Sequence, residues 1–240
     1  MKRFFKWLFI TIVIIVILVI AGFTIWSQQT YGPSEQLLER VDINSVLDGK
    51  DIVIRASGDA KAGIILYPGA KVENTAYSYY GQSLAEAGYD VFIPSVLLNF
   101  SLLDTEISDK IISDNKDITR WYVGGHSLGG VSAAMFAKQH EELVDGLILL
   151  ASYPSEGSDL SMSPMAVLSI YGELDGLTEL RDIEQSKNLL PVNTRFIEIT
   201  GGNHAQFGLY GEQKGDGIAT LSAIEQQNII IEETLQWLQQ

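Results

Sequence analysis

A five-residue motif at residues 125–129 (GHSLG) constrains the fold of this chain more than any other feature. It follows a short apolar run at residues 121–123, which predicts a strand, and precedes residues 131–139, which predict a helix. A serine on a sharp strand-to-helix turn has strained backbone angles, so it needs small residues two positions before and after it. The motif in this context therefore predicts a nucleophile elbow with Ser127 at its tip.

A long apolar run at residues 7–26 follows three basic residues, Lys2, Arg3 and Lys6. About twenty helical residues span roughly 30 Å, the thickness of a bilayer core. The run ends without a small-residue cleavage pattern, and the chain has no cysteine for lipoprotein processing. Residues 1–26 are therefore predicted to be an uncleaved signal anchor, with a cleaved signal peptide as the alternative. The positive-inside rule predicts a single-pass protein of the cell membrane, with a cytoplasmic N-terminus and an extracytoplasmic catalytic domain.

Charge and cysteine content exclude several classes of function. The formal net charge is −14, and the part after the apolar run is more acidic still, because three basic residues precede that run. Such a surface repels nucleic acid and disfavours polyanionic substrates. The absence of cysteine excludes disulfides, thiol catalysis and thiolate metal sites.

Beyond the anchor, residues 27–50 are predicted to be a linker ending in a short helical segment, and residues 51–240 one catalytic domain. Apolar runs there alternate with amphipathic segments, which predicts an α/β fold with a mostly parallel central sheet flanked by helices. Strands are predicted at residues 52–56, 63–67, 90–93, 121–123, 146–150, 167–171 and 194–199. Helices are predicted at residues 77–87, 131–139, 178–190 and 218–238.

A serine hydroxyl needs a base, and the chain has three histidines. His126 lies inside the motif and is expected to point away from the hydroxyl, and His140 at a helix end is expected to be a surface residue. His204 lies in a glycine-rich loop after the last predicted strand, where it can reach back over the sheet. We therefore predict His204 as the base, with an ordinary loop histidine as the alternative.

The base needs an acid to hold its tautomer, and Asp175 follows the strand predicted at residues 167–171. Glu173 is the nearest rival, and Asp182 is expected on the following helix. The chain order Ser, Asp, His favours Asp175 as the acid, although a turn residue leading into a helix is the alternative explanation.

The oxyanion of a tetrahedral intermediate needs two preorganised donors. The backbone N–H of Leu128, directly after the serine, is one. The loop after an early central strand supplies the other, and we predict the N–H of Ala70, with Lys71 as the alternative.

Several segments together carry a resemblance to a known family: residues 67–72 (YPGAKV), 84–89 (LAEAGY), 125–130 (GHSLGG), 172–175 (GELD) and 202–204 (GNH). The chain resembles the serine α/β-hydrolases, and it is similar to bacterial α/β-hydrolases related to dienelactone hydrolase. This resemblance covers residues 60–235 and implies the α/β-hydrolase fold and ester hydrolysis by a Ser127–His204–Asp175 triad, with no cofactor or metal. Dienelactone hydrolases proper use a cysteine, which is absent here, and Pro68–Gly69 replaces the family's histidine-glycine in the oxyanion loop.

Three loops bear on substrate access. The link at residues 152–164 is too short for a multi-helix cap, which predicts no large cap domain and an open site. Residues 95–107 predict a buried amphipathic helix, with a pocket wall or a lipid-facing surface as alternatives. Residues 205–217 are expected to form either the rim of the pocket or a surface loop.

The sequence as a whole predicts a membrane-anchored extracytoplasmic serine hydrolase that cleaves carboxylic esters, either small molecules or esters linked to the cell envelope. An acyltransferase acting on envelope acceptors is one alternative. A non-catalytic anchored binding protein on the same fold is another.

Overall fold

The computed structural model describes residues 2–240, and it contains a single sheet with helices on both faces. The strands are β1 (Leu47–Asp48), β2 (Asp51–Ile54), β3 (Gly63–Tyr67), β4 (Asp90–Ile93), β5 (Trp121–His126), β6 (Gly146–Leu150), β7 (Ala166–Gly172) and β8 (Arg195–Ile199). The helices are α1 (Lys2–Ser27), α2 (Glu35–Leu38), α3 (Ile43–Val46), α4 (Ser78–Glu86), α5 (Ile107–Asp114), α6 (Leu128–Gln139), α7 (Leu180–Ser186) and α8 (Ala223–Leu238).

The sheet has eight strands in the order β1-β2-β4-β3-β5-β6-β7-β8. Strands β3 to β8 all pair in parallel. At one edge, β2 pairs antiparallel with β4, and β1 pairs antiparallel with β2. The predicted mostly parallel sheet is therefore confirmed. Because β3 to β8 run in the same direction, the loops after them meet at one edge of the sheet, where open α/β folds bind their ligands.

Strands buried on both faces need nearly continuous apolar sequence, and β3 and β6 have it. Residues of α4 and α8, including Leu84 and Ile230, pack against one face of the sheet. Residues of α5 and α6, including Ile111 and Phe136, pack against the other. The central strands, among them β5 with the motif at its end, are thereby held between two apolar layers.

The N-terminal helix α1 projects from this body, and its apolar side chains are exposed along most of its length. It is long and apolar enough to cross a membrane, which makes it a candidate transmembrane helix. The segment predicted as a linker, residues 27–50, contains α2, α3 and β1. Its Leu37, Val41 and Val46 are buried in the core, so in the structure this segment packs on the domain instead of forming a free tether.

The helix predicted over residues 95–107 does not form. Two single 3₁₀ turns, Leu97–Asn99 and Ser101–Leu103, occupy this stretch. Leu98 and Asn99 have positive φ angles of 54° and 53°, which break a right-handed helical path. The link at residues 152–164 contains one 3₁₀ turn and no cap, as predicted.

Candidate active site

Ser127 occupies the turn between β5 and α6 with a φ of 52° and a ψ of −124°. Such angles are rare for a residue with a side chain and persist only where the surroundings enforce them. The N–H of Ser127 donates to the Leu150 carbonyl at 3.0 Å, and the Ser152 hydroxyl donates to the Ser127 carbonyl at 2.6 Å. Both backbone groups of Ser127 are thus fixed by β6 and the loop after it.

The glycines on either side of Ser127 are required by close packing. A Cβ on Gly125 would lie 2.4 Å from the carbonyl carbon of Gly129, and a Cβ on Gly129 would lie 2.1 Å from the Tyr67 carbonyl oxygen. These contacts are with backbone atoms, which cannot move aside without displacing β3 or α6. The small residues of the motif therefore allow the tight strand-to-helix turn that exposes Ser127.

His204 and Asp175 form a buried pair at the same sheet edge. His204 Nδ1 lies 2.8 Å from Asp175 Oδ2, and the two side chains are 1% and 0% exposed. The other oxygen, Asp175 Oδ1, accepts hydrogen bonds from the N–H groups of Leu177, at 2.8 Å, and Thr178, at 2.7 Å. This fixed carboxylate holds the proton of His204 on Nδ1, which leaves Nε2 free to accept a proton.

Asp216 is a further part of the site that sequence reasoning missed. Its carboxylate accepts hydrogen bonds from the N–H groups of His204, at 3.1 Å, and Ala205, at 2.8 Å. It also accepts one from the N–H of Gly176, at 3.1 Å, which directly follows Asp175. One side chain in the segment predicted as a rim or surface loop therefore joins the loops that carry Asp175 and His204.

The side chain of Gln226 on α8 holds the histidine loop from the other side. Its Oε1 accepts from the N–H of Asn203 at 3.0 Å, and its Nε2 donates to the Asn203 carbonyl at 2.8 Å. Gln226 is fully buried. The backbone next to His204 is therefore fixed by paired hydrogen bonds on both sides.

The rival residues lie elsewhere. Glu173 accepts a hydrogen bond from the Gly201 N–H at 2.8 Å, and Asp182 forms part of the capping box at the start of α7. His140 is partly exposed and pairs with Glu106 at 3.0 Å. None of these contacts involves His204 or Ser127.

The loop after β3 holds the candidate second oxyanion donor. The N–H of Gly69 donates to the Tyr77 hydroxyl at 3.0 Å, and the N–H of Lys71 donates to the Asn99 carbonyl at 2.8 Å. Between them, the N–H of Ala70 has no acceptor among residues 2–240. The N–H of Lys71 is therefore already hydrogen-bonded, whereas the N–H of Ala70 is free to donate.

A buried tyrosine and histidine connect the oxyanion loop to the elbow. His126 Nδ1 lies 2.9 Å from the same Tyr77 hydroxyl that accepts from Gly69. The rings of His126 and His204 have centroids 4.5 Å apart. Burial, together with the nearby His204, holds the pKa of His126 well below its ordinary value of 6.5. A neutral His126 therefore lies between the oxyanion loop and His204.

Ser127 is partly exposed, and its hydroxyl makes no hydrogen bond to His204 within residues 2–240. A cavity of about 410 Å³ lies beside α7, but its lining includes none of Ser127, Asp175 and His204. The short link at residues 152–164 forms no cap domain over this sheet edge.

The sheet order and the serine on the β5–α6 turn define the α/β-hydrolase fold. A family model described as "Alpha/beta hydrolase family" matches residues 63–228, more than half of the chain. The chain belongs to the α/β hydrolase family.

Solved structures give the same fold. A predicted CIB-like hydrolase from Thermoplasma acidophilum superposes with a TM-score of 0.59 at 16% identity, over 82% of this chain and 96% of that chain. Est1E from Butyrivibrio proteoclasticus has a TM-score of 0.58 at 13% identity, over 79% of this chain and 94% of that chain. An alpha-beta serine hydrolase homologue from Coxiella burnetii has a TM-score of 0.56 at 17% identity, over 76% and 90%. No curated protein matches this chain in sequence.

Proposed function

We propose that this chain is a serine hydrolase that cleaves carboxylic esters with Ser127 as nucleophile. The observation that carries the proposal is the buried pair of His204 Nδ1 and Asp175 Oδ2, 2.8 Å apart, at the sheet edge where strained Ser127 projects. An aspartate-oriented histidine at the same sheet edge as a partly exposed serine is an arrangement that can activate a hydroxyl. By its motifs, the chain is a serine relative of dienelactone hydrolase.

In the first half-reaction, Ser127 Oγ attacks the ester carbonyl carbon while its proton passes to His204 Nε2. The negative oxygen of the tetrahedral intermediate accepts hydrogen bonds from the N–H groups of Leu128 and Ala70. The intermediate collapses, the C–O bond to the alcohol breaks, and the alcohol leaves with the proton from His204. An acyl group is then bonded to Ser127.

Water completes the cycle in the second half-reaction. His204 takes a proton from water, the hydroxide attacks the acyl carbon, and the bond to Ser127 Oγ breaks as that oxygen regains a proton. The acid is released. Catalytic hydrogen bonds are often long in free enzymes and shorten once substrate binds, so we expect the bond between Ser127 and His204 to form in the substrate complex.

The proposed location is the outer face of the cell membrane, with α1 as an uncleaved single-pass anchor. The exposed apolar surface of α1 and the basic residues in its first turns, Arg3 and Lys6 among them, support a cytoplasmic N-terminus. The substrate is then a small or envelope-linked ester, and the acidic surface disfavours nucleic acid. Est1E from Butyrivibrio proteoclasticus, which has the same fold, has also been solved with ferulic acid bound.

The proposal is tested with the purified full chain in detergent micelles and nitrophenyl esters of increasing acyl length. We expect hydrolysis that Ser127→Ala and His204→Ala abolish, while His140→Ala leaves it intact. Analysis of products formed with added alcohol separates hydrolysis from acyl transfer. Equal rates for the Ser127→Ala variant and the unaltered chain would refute a serine mechanism.

A further inference from the structure

The end of α1 and the loop after β4 form one continuous apolar surface. The Phe100 ring lies 5.6 Å from the Phe23 ring and 6.1 Å from the Trp26 ring, measured between centroids. The Asn99 side chain donates a hydrogen bond to the Ser27 carbonyl at 3.2 Å. The end of α1 is thus fixed against residues 97–103, which we name the 97–103 loop.

The 97–103 loop exposes its leucines. Leu97, Leu102 and Leu103 are 57%, 36% and 48% exposed. The loop is nevertheless anchored, because the Ser132 hydroxyl on α6 donates to the Ser101 hydroxyl at 2.9 Å, and both serines are buried. Three exposed leucines on one short, fixed loop form an apolar patch of the kind that marks an interaction site.

The contacts with α1 fix the depth at which these leucines lie. The 25-residue span Arg3–Ser27 is about 37 Å long as a helix, enough to cross the bilayer core, and Trp26 near its end is an interfacial residue type. Phe100 packs on Trp26, so the 97–103 loop lies at the same level. The Lys71 ammonium, 4.5 Å from the centre of the Trp26 ring, places a positive charge at the height of lipid phosphates.

This surface adjoins the catalytic edge. The 97–103 loop follows β4, whose carboxyl end lies on the same sheet edge as those of β5 and β7. The N–H of Lys71, next to Ala70, donates to the Asn99 carbonyl within the loop at 2.8 Å. Anchoring the loop in lipid would therefore hold the oxyanion loop at the membrane surface.

We propose that the 97–103 loop and Trp26 insert into the outer leaflet of the membrane that α1 crosses, and that the site acts on amphiphilic esters resident in that leaflet. This inference rests on the proposed serine hydrolase and its anchor. Lipid is the partner because the surface continues directly from α1, whose exposed side chains between Phe4 and Trp26 themselves require a bilayer.

The absence of cysteine allows a direct depth measurement. Single variants Leu97→Cys and Leu102→Cys carry an environment-sensitive fluorophore in the full chain, reconstituted in vesicles of phosphatidylcholine and phosphatidylglycerol. Val192→Cys and Met162→Cys, at residues 103% and 93% exposed, are the matched controls. We expect nitroxide-labelled lipids to quench the loop positions strongly and the controls weakly. Equal quenching at all four positions overturns the proposal. It is also overturned if the emission of the fluorophore at Leu97→Cys changes only with the density of protein in the vesicles, because that result indicates contact with a second copy.

A second experiment measures substrate selection. Changing Leu97, Leu102 and Leu103 together to serine is expected to lower the ratio of vesicle-resident to water-soluble ester hydrolysis by about tenfold or more, since burial of one leucine side chain is worth at least that factor. The control Met162→Ser/Val192→Ser keeps the ratio. An unchanged ratio in the triple variant overturns the proposal. Labelling of Ser127 by a fluorophosphonate reports independently on the proposed catalysis, so the failure of either idea is recognised separately.

Discussion

The Asp216 carboxylate accepts a hydrogen bond from the backbone N–H of His204, at an N···O distance of 3.1 Å. The same carboxylate accepts from the N–H of Gly176, next to Asp175. Asp216 therefore fixes the spacing between the loops of Asp175 and His204 and makes no hydrogen bond to Ser127.

Removing this support should lower turnover. We expect Asp216→Ala to reduce kcat by up to about 10²-fold, because displacing a catalytic group by about 1 Å costs that much. KM should change little, and Asp216→Asn, which retains one acceptor oxygen, should recover part of the rate. Steady-state kinetics on a water-soluble ester measure this split. A rise in KM with an unchanged kcat would show that Asp216 acts on substrate binding instead.

Replacing Asp175 tests which ring nitrogen of His204 carries the proton. In Asp175→Asn the amide can donate to Nδ1, which favours the tautomer with the proton on Nε2, so the base can no longer take the serine proton. We expect kcat to fall by roughly 10³- to 10⁴-fold. The matched control is Glu173→Gln, since its amide oxygen can still accept from Gly201. Comparable losses in the two variants would contradict the assignment of Asp175.

The strained backbone of Ser127 has a consequence for stability. Glycine adopts positive φ without a Cβ clash, so Ser127→Gly should relieve strain of about 1–3 kcal/mol, less roughly 0.5–1 kcal/mol from its greater freedom when unfolded. We expect a net gain in unfolding free energy of about 1 kcal/mol, and no such gain for Ser127→Ala. Denaturant titration measures both. A Ser127→Gly variant less stable than Ser127→Ala would contradict this account of the elbow.

His126 should make stability depend on pH. Its pKa in the folded chain lies well below 6.5, so the unfolded chain binds this proton first as the pH falls. The stability that a neutral His126 gives the folded chain is fully present above about pH 6.5. Below that pH, the free energy of unfolding falls by up to about 1.4 kcal/mol per pH unit.

We expect His126→Asn, whose side chain can still bond to Tyr77, to reduce the slope of unfolding free energy against pH below pH 6.5. The reduction is up to about 1.4 kcal/mol per pH unit, which corresponds to one proton. His140→Asn, at a partly exposed position, should retain it. Denaturant titrations between neutral and mildly acidic pH give the slopes. If His126→Asn and the unaltered chain share one slope, His126 is not held neutral by the fold.

The strands and the elbow were predictable because their signals are local. Buried parallel strands such as β3 and β6 are continuous apolar runs, and the glycines around Ser127 reflect packing within a few residues. The order of Ser127, Asp175 and His204 along the chain does not itself show that they meet in space. That they meet was predicted from the known chain order of the triad in folds with this kind of turn.

Asp216 and Tyr77 were not predictable, because their roles depend on which distant loops the fold brings together. Nothing near Asp216 in the sequence indicates that its carboxylate will accept from the backbone of residues 204 and 205. The helix predicted over residues 95–107 failed for a similar reason. The contacts of Asn99 and Ser101 with α1 and α6 select a looped backbone over the helix that the apolar spacing favours.

The most direct test of the account is the rate at which a fluorophosphonate probe modifies the purified chain. We predict a single adduct, located on Ser127 by peptide mass spectrometry, that forms roughly 10²- to 10⁴-fold more slowly in His204→Ala, because the histidine must take the serine proton. His140→Ala should react at the unaltered rate. An absence of labelling at Ser127, or equal labelling rates with and without His204, would contradict the triad.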